Sequence, residues 1–101
     1  MKAVIDDTIL AEAQKDDLIS IEGNWYFPPS SLSAELFTQS DTAYHCPWKG
    51  DARYFDVVLG DHSRRDLAWS YPEPLPGSRE KVGGDFADYV AFDRAVEIVE
   101  S

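Results

Sequence analysis

Short apolar runs broken by polar turn residues recur along the whole chain, and their lengths are those of strands rather than helices. Ala3-Val4-Ile5 and Thr8-Ile9-Leu10-Ala11 flank Asp6-Asp7, which predicts a strand, a tight turn and a second strand. Ala11-Glu12-Ala13-Gln14-Lys15 has equal capacity to open a helix, so the end of that second strand stays open between the two. Leu18-Ile19-Ser20-Ile21 and Asn24-Trp25-Tyr26-Phe27 are rich in β-formers, and Glu22-Gly23 between them predicts another hairpin. Pro28-Pro29 ends the pairing because neither residue can donate a ladder hydrogen bond. Ser30 and Ser31 can cap a short helix over 32–37, with Leu32, Leu36 and Phe37 on one face.

Further on, 41–44 reads as a short strand and 51–59 as the longest one. Gly60-Asp61-His62-Ser63 reads as its turn, and 66–71 as the antiparallel return. The proline-studded segment 72–76 runs as an extended loop. Gly83-Gly84 marks a turn before Tyr89-Val90-Ala91-Phe92, and Asp93-Arg94 turns the chain into Ala95-Val96-Glu97-Ile98-Val99. The sum is about eight short, mostly antiparallel strands with one or two short helices, hence a mainly β barrel or roll. Parallel α/β units need long crossover helices, for which the chain has no pattern. Residues 1–101 read as one domain, a length sufficient for a single core.

Charge narrows the partners. Nineteen Asp and Glu against nine Lys and Arg leave a formal net charge of -10, which repels phosphate backbones and anionic lipid. Neither nucleic acid nor a membrane surface is an expected partner. Arg53, Arg64, Arg65 and Lys49 can still form a local patch for a small anion. The apolar run after Met1-Lys2 is broken at once by Asp6-Asp7, too early for a signal peptide. No run approaches membrane-spanning length, and one cysteine makes no internal disulfide. A cytoplasmic location is the expectation.

The chemistry is concentrated in two runs, Tyr44-His45-Cys46-Pro47-Trp48-Lys49-Gly50-Asp51 and Ala68-Trp69-Ser70-Tyr71-Pro72-Glu73-Pro74. Cys46 is the candidate nucleophile and Lys49 the cation that would activate it. Adjacent His45 is a poor base for that thiol, because side chains alternate along an extended strand. Pro47 also removes a backbone N–H where an oxyanion donor often stands. The competing role for Cys46 is that of a small buried apolar residue, and it is the stronger reading. A metal site needs three or four clustered ligands. His45, His62 and scattered carboxylates lack that spacing, so no metal and no cofactor are expected. Among the aromatic residues, Trp69 shares a face with Tyr71, Arg53 with Phe55 and Val57, and Trp25 with Phe27 opposite Tyr26. Most of these rings should fill the core, with Lys49, His45 and Arg53 available as polar partners or pocket lining.

Nucleotidyl transfer needs a Gly-Ser turn followed by closely spaced acidic residues that hold Mg²⁺. Gly77-Ser78 is present but no Asp-x-Asp strand follows it, and no phosphate-cradling glycine loop occurs. Tyr26-Phe27-Pro28-Pro29, Cys46-Pro47-Trp48-Lys49-Gly50, Trp69-Ser70-Tyr71-Pro72 and Tyr89-Val90-Ala91-Phe92, in that order, resemble the bacterial family known as domain of unknown function 427, also labelled nucleotidyltransferase-like. The resemblance spans nearly the whole chain. It implies a compact, mostly β, single-domain cytoplasmic protein and brings no established activity. The residues give the nucleotidyltransferase label no support.

The leading expectation is a domain that binds a small polar or anionic ligand where the 44–51 segment meets the 69–71 strand end. Cys46 and Lys49 would carry any chemistry. Tyr54, Trp69 and Tyr71 would form the wall, with His45, Lys49 and Arg53 as polar contacts. The alternative is a non-catalytic interaction or self-associating module, a homodimer paired through exposed edge strands.

Overall fold

The computed structural model describes residues 1–100. Three antiparallel sheets make up the fold. β1 (Lys2–Ile5) pairs with β2 (Thr8–Glu12) and with β9 (Glu97–Val99), giving the order β2-β1-β9. β3 (Ile19–Ile21) and β4 (Asn24–Tyr26) form a hairpin. β5 (Phe37–Cys46), β6 (Gly50–Leu59), β7 (His62–Ser70) and β8 (Val90–Phe92) form the main sheet in sequence order. The hairpin is tied to β8 through an antiparallel bridge between Phe27 and Val90. None of the sheets closes on itself, so the mainly β expectation holds while "barrel or roll" describes the strand order only loosely.

The turns explain the two short hairpins. Asp6 and Asp7 both have positive φ, as do Glu22 and Gly23, which is the backbone twist that two-residue hairpin turns require. Their acidic residues are the ones the sequence places between paired apolar runs.

Strand alternation divides the core. Phe55, Val57, Ala68, Val90 and Phe92 face the larger cluster, which β1, β2, Phe27 and Trp25 complete. Ala52, Tyr54, Trp69 and Ala91, one position out of phase, face a second cluster with Ile21, Tyr26, Cys46, Tyr71 and Phe86. The β8 end of the main sheet is therefore covered on both faces, while much of β5 and the first half of β7 stay exposed.

Several boundaries differ from the sequence reading. The helix expected over 32–37 is absent: 3-10 turns occupy Pro29–Ser31 and Ala34–Leu36, and β5 begins at Phe37. The Ser31 hydroxyl donates backward to the Pro28 carbonyl instead of capping a helix, and Leu32 bridges Ala11 of β2. The strand expected at 41–44 is the interior of ten-residue β5. The turn after β6 is shorter than 60–63, because His62 and Ser63 already pair with Leu59 and Val58. The one α-helix among the described residues, α1 (Ser78–Val82), lies in a segment that gave no helical signal. No helix among the described residues is long and apolar enough to cross a membrane.

β5 and β7 each carry an irregularity opposite the middle of β6, at 39–43 and at 64–68. Asp66, at φ 53, anchors both: its backbone N–H donates to Asp56 and its carboxylate accepts from the Thr42 hydroxyl at 2.6 Å. The Ser40 and Thr42 hydroxyls hold the Asp66 carboxyl below its ordinary pKa.

Candidate functional site

The turn at 47–49 joins β5 to β6 around Trp48, with Cys46 opposite Gly50 and His45 opposite Asp51. Gly50 is required twice over. Its φ is +114, and a side chain there would meet the Glu73 carbonyl at 3.1 Å. The Leu75 N–H donates to the Lys49 carbonyl at 3.1 Å. The proline-rich 72–76 loop is thereby fastened against the turn.

Lys49 points into the second cluster and is only 7% exposed. Its ammonium donates to Glu22 Oε1 at 2.5 Å and lies 5.0 Å from the Tyr71 ring and 5.3 Å from the Trp48 ring. Lys81 of α1 lies 4.8 Å from the centre of the same indole. Trp69 Nε1 donates to the Tyr26 phenol oxygen at 3.1 Å, and the Tyr54 ring packs on Trp69 with centroids 6.1 Å apart. Burial by itself would lower the Lys49 pKa. The Glu22 hydrogen bond, aided by the Tyr26 and Tyr71 oxygens, outweighs it and holds the amine above its ordinary value. Burial pushes the Tyr71 phenol up to about 12 against the pull of Lys49. Burial likewise raises Tyr26, against its bonds to Trp69 and Lys49, and raises Tyr54, with Asp66 adding to the effect. Protonation of this kind, together with burial against Glu22 and two aromatic rings, disfavours use of the amine as a nucleophile or base.

Beside this cluster runs an open groove of about 380 Å³ lined by His45, Asp51, Ala52, Arg53, Pro72, Glu73 and Leu75. His45 Nδ1 lies 2.7 Å from Asp51 Oδ1, and Nε2 has no partner among the described residues. Arg53 is exposed, and its guanidinium has no hydrogen-bond or ion-pair partner among the described residues. The groove thus combines a free cation, an oriented imidazole and an apolar wall from Pro72 and Leu75.

The residues singled out from sequence fall into two groups. Cys46 and Tyr71 belong to the second cluster, Lys49 is buried against Tyr71, and Tyr54 and Trp69 pack on it half-buried. His45 and Arg53 line the groove. Cys46 is 6% exposed and, like Lys49, does not line that groove. Among the described residues no three His, Cys, Asp or Glu side chains converge as metal ligands. Glu22, Asp51 and Glu73 were not anticipated. Asp51 had a signal, because a hairpin centred on Trp48 sets it opposite His45. Glu22 had none beyond its place in a turn.

Over residues 1–101 the chain matches the family model described as Domain of unknown function (DUF427). No curated protein matches it. With the match running through every residue and the mainly β architecture in place, the chain belongs to the DUF427 family.

Proposed function

We propose that this domain binds a small polar ligand bearing an anionic group, seated in the groove between the 45–53 hairpin and the 72–75 loop. The observation that carries this reading is Arg53. In this chain of net charge -10, Arg65 and Arg79 each meet a carboxylate, whereas Arg53, Arg64 and Arg94 have no such partner among the described residues. Of these three only Arg53 lines the groove, and its unoccupied planar donor fork suits a carboxylate or a similar oxyanion. His45, steadied by Asp51, offers a second polar contact. The reading assigns Cys46 and Lys49 to packing and orientation of the turn rather than to a covalent step, since both are closed off in the second cluster.

A thermal-shift panel of small carboxylates and neutral metabolites tests this, because a ligand selective for the folded state raises the melting temperature. Stabilisation by carboxylates that disappears in Arg53→Gln is the expected result. Stabilisation unchanged in that variant, or absent for every carboxylate, would remove the groove from consideration.

One observation favours a second reading, self-association. β5 is an edge strand of the main sheet, and Tyr44 on it is 52% exposed. Sedimentation showing a dimer that Tyr44→Lys dissociates would support it.

A further inference from the structure

The groove holds a second unpaired charge of opposite sign. Glu73 lines the same concavity as Arg53, and its carboxylate has no side-chain partner among the described residues. The two charges share a groove without forming an ion pair with each other. The remaining pair, His45 and Asp51, is already joined at 2.7 Å. One unpaired cation and one unpaired anion therefore line the same groove.

Resting on the reading of the groove as a ligand site, we infer that its ligand is a small zwitterion: a molecule of amino-acid type whose carboxylate meets Arg53, whose ammonium meets Glu73 and whose apolar part lies against Pro72 and Leu75. Three physical considerations converge on this class. A simple anion reaching Arg53 would sit beside the Glu73 carboxylate and would approach a protein of net charge -10, both unfavourable. A simple cation would be drawn to the protein as a whole but would meet Arg53 in the groove. A zwitterion carries no net charge to be repelled and satisfies both unpaired groups at once. Charge-assisted hydrogen bonds at both ends orient it, while Ala52, Pro72 and Leu75 supply apolar contact between them.

The class can be tested with three compounds on one carbon skeleton: L-leucine, its deaminated analogue isocaproate and its decarboxylated analogue isoamylamine. Calorimetric titration of the whole protein should give leucine an affinity about tenfold or more above either analogue, the effect of removing one charge-assisted hydrogen bond. Glu73→Gln should bring isocaproate level with leucine, and Arg53→Gln should abolish binding of both. Isocaproate binding native protein as tightly as leucine, yet failing in Arg53→Gln, would leave the anion groove standing and discard the zwitterion. A preference for isoamylamine would discard it as well. No binding by any of the three, or leucine binding that survives Arg53→Gln, would sink the groove and this inference together.

Discussion

Lys49 Nζ lies 2.5 Å from Glu22 Oε1 across 27 positions of sequence. The bond joins the tip of the β3–β4 hairpin to the turn between β5 and β6. Only the lysine end is buried: its side chain is 8% exposed and that of Glu22 is 56%. The hairpin tip thus serves as a lid over an ammonium that also faces Tyr26 and Tyr71.

This asymmetry predicts unequal costs for removing the partners. Glu22→Ala strands a buried ammonium and should destabilise the fold by about 1–3 kcal/mol, at the lower end because solvent reaches the carboxylate side. Lys49→Met leaves a carboxylate free to hydrate and fills the aromatic pocket with a flexible apolar chain, so it should cost less. Urea denaturation of both variants decides the matter. A larger cost for Lys49→Met would mean that the cation is held chiefly by its aromatic neighbours.

The pH dependence has one sign at the alkaline end. Lys49, Tyr26, Tyr54 and Tyr71 all bind their protons more tightly in the folded state than at their ordinary values. The stability they confer is complete below about pH 10 and is lost as pH rises through the folded values. Ultraviolet titration should show three of the five tyrosines ionising late, with Tyr71 at about 12. Simultaneous ionisation of all five near pH 10, with circular dichroism unchanged, would contradict the buried arrangement.

Gly50→Ala should destabilise the fold by about 1–3 kcal/mol, from left-handed backbone strain and collision with the Glu73 carbonyl. It should also shift amide resonances of the 72–76 loop, which Lys49 and Gly50 hold in place. Destabilisation without any change in that loop would separate the backbone strain from the packing against Glu73.

Cys46 should react slowly with iodoacetamide in native protein, at a rate set by local opening, because it is buried in the second cluster. Cys46→Ala should cost about 1–3 kcal/mol, as small core truncations do. Rapid labelling at neutral pH that Lys49→Met abolishes would make the thiol an activated nucleophile.

Sequence alone determined the paired strands and most of their turns. Asp6-Asp7 and Glu22-Gly23 mark hairpins because their local backbone preferences and the flanking β-formers agree. The alternation that sets Tyr26 against Trp25 and Phe27, and Trp69 and Tyr71 against Ser70, is likewise a property of any extended chain and needs no neighbours. The helix expected at 32–37 failed for the opposite reason. Its apolar spacing fits a helix, but Leu32 found a β partner in Ala11, and pairing across the chain outweighed a weak local preference. What only the tertiary structure decided is which strand faces are covered and which long-range charges meet. The lysine and aromatic residues that cluster in sequence were drawn into one site by proximity. The folded sheet instead parts His45 and Arg53 from them, with Lys49 buried and Trp69 half-buried beneath the β3–β4 hairpin and the other two left at the open groove. Alternation assigns residues to two faces, but only the docking of β3–β4 and α1 buries one of them. The attraction between Glu22 and Lys49 acts over a few ångströms and leaves no periodic trace along the chain.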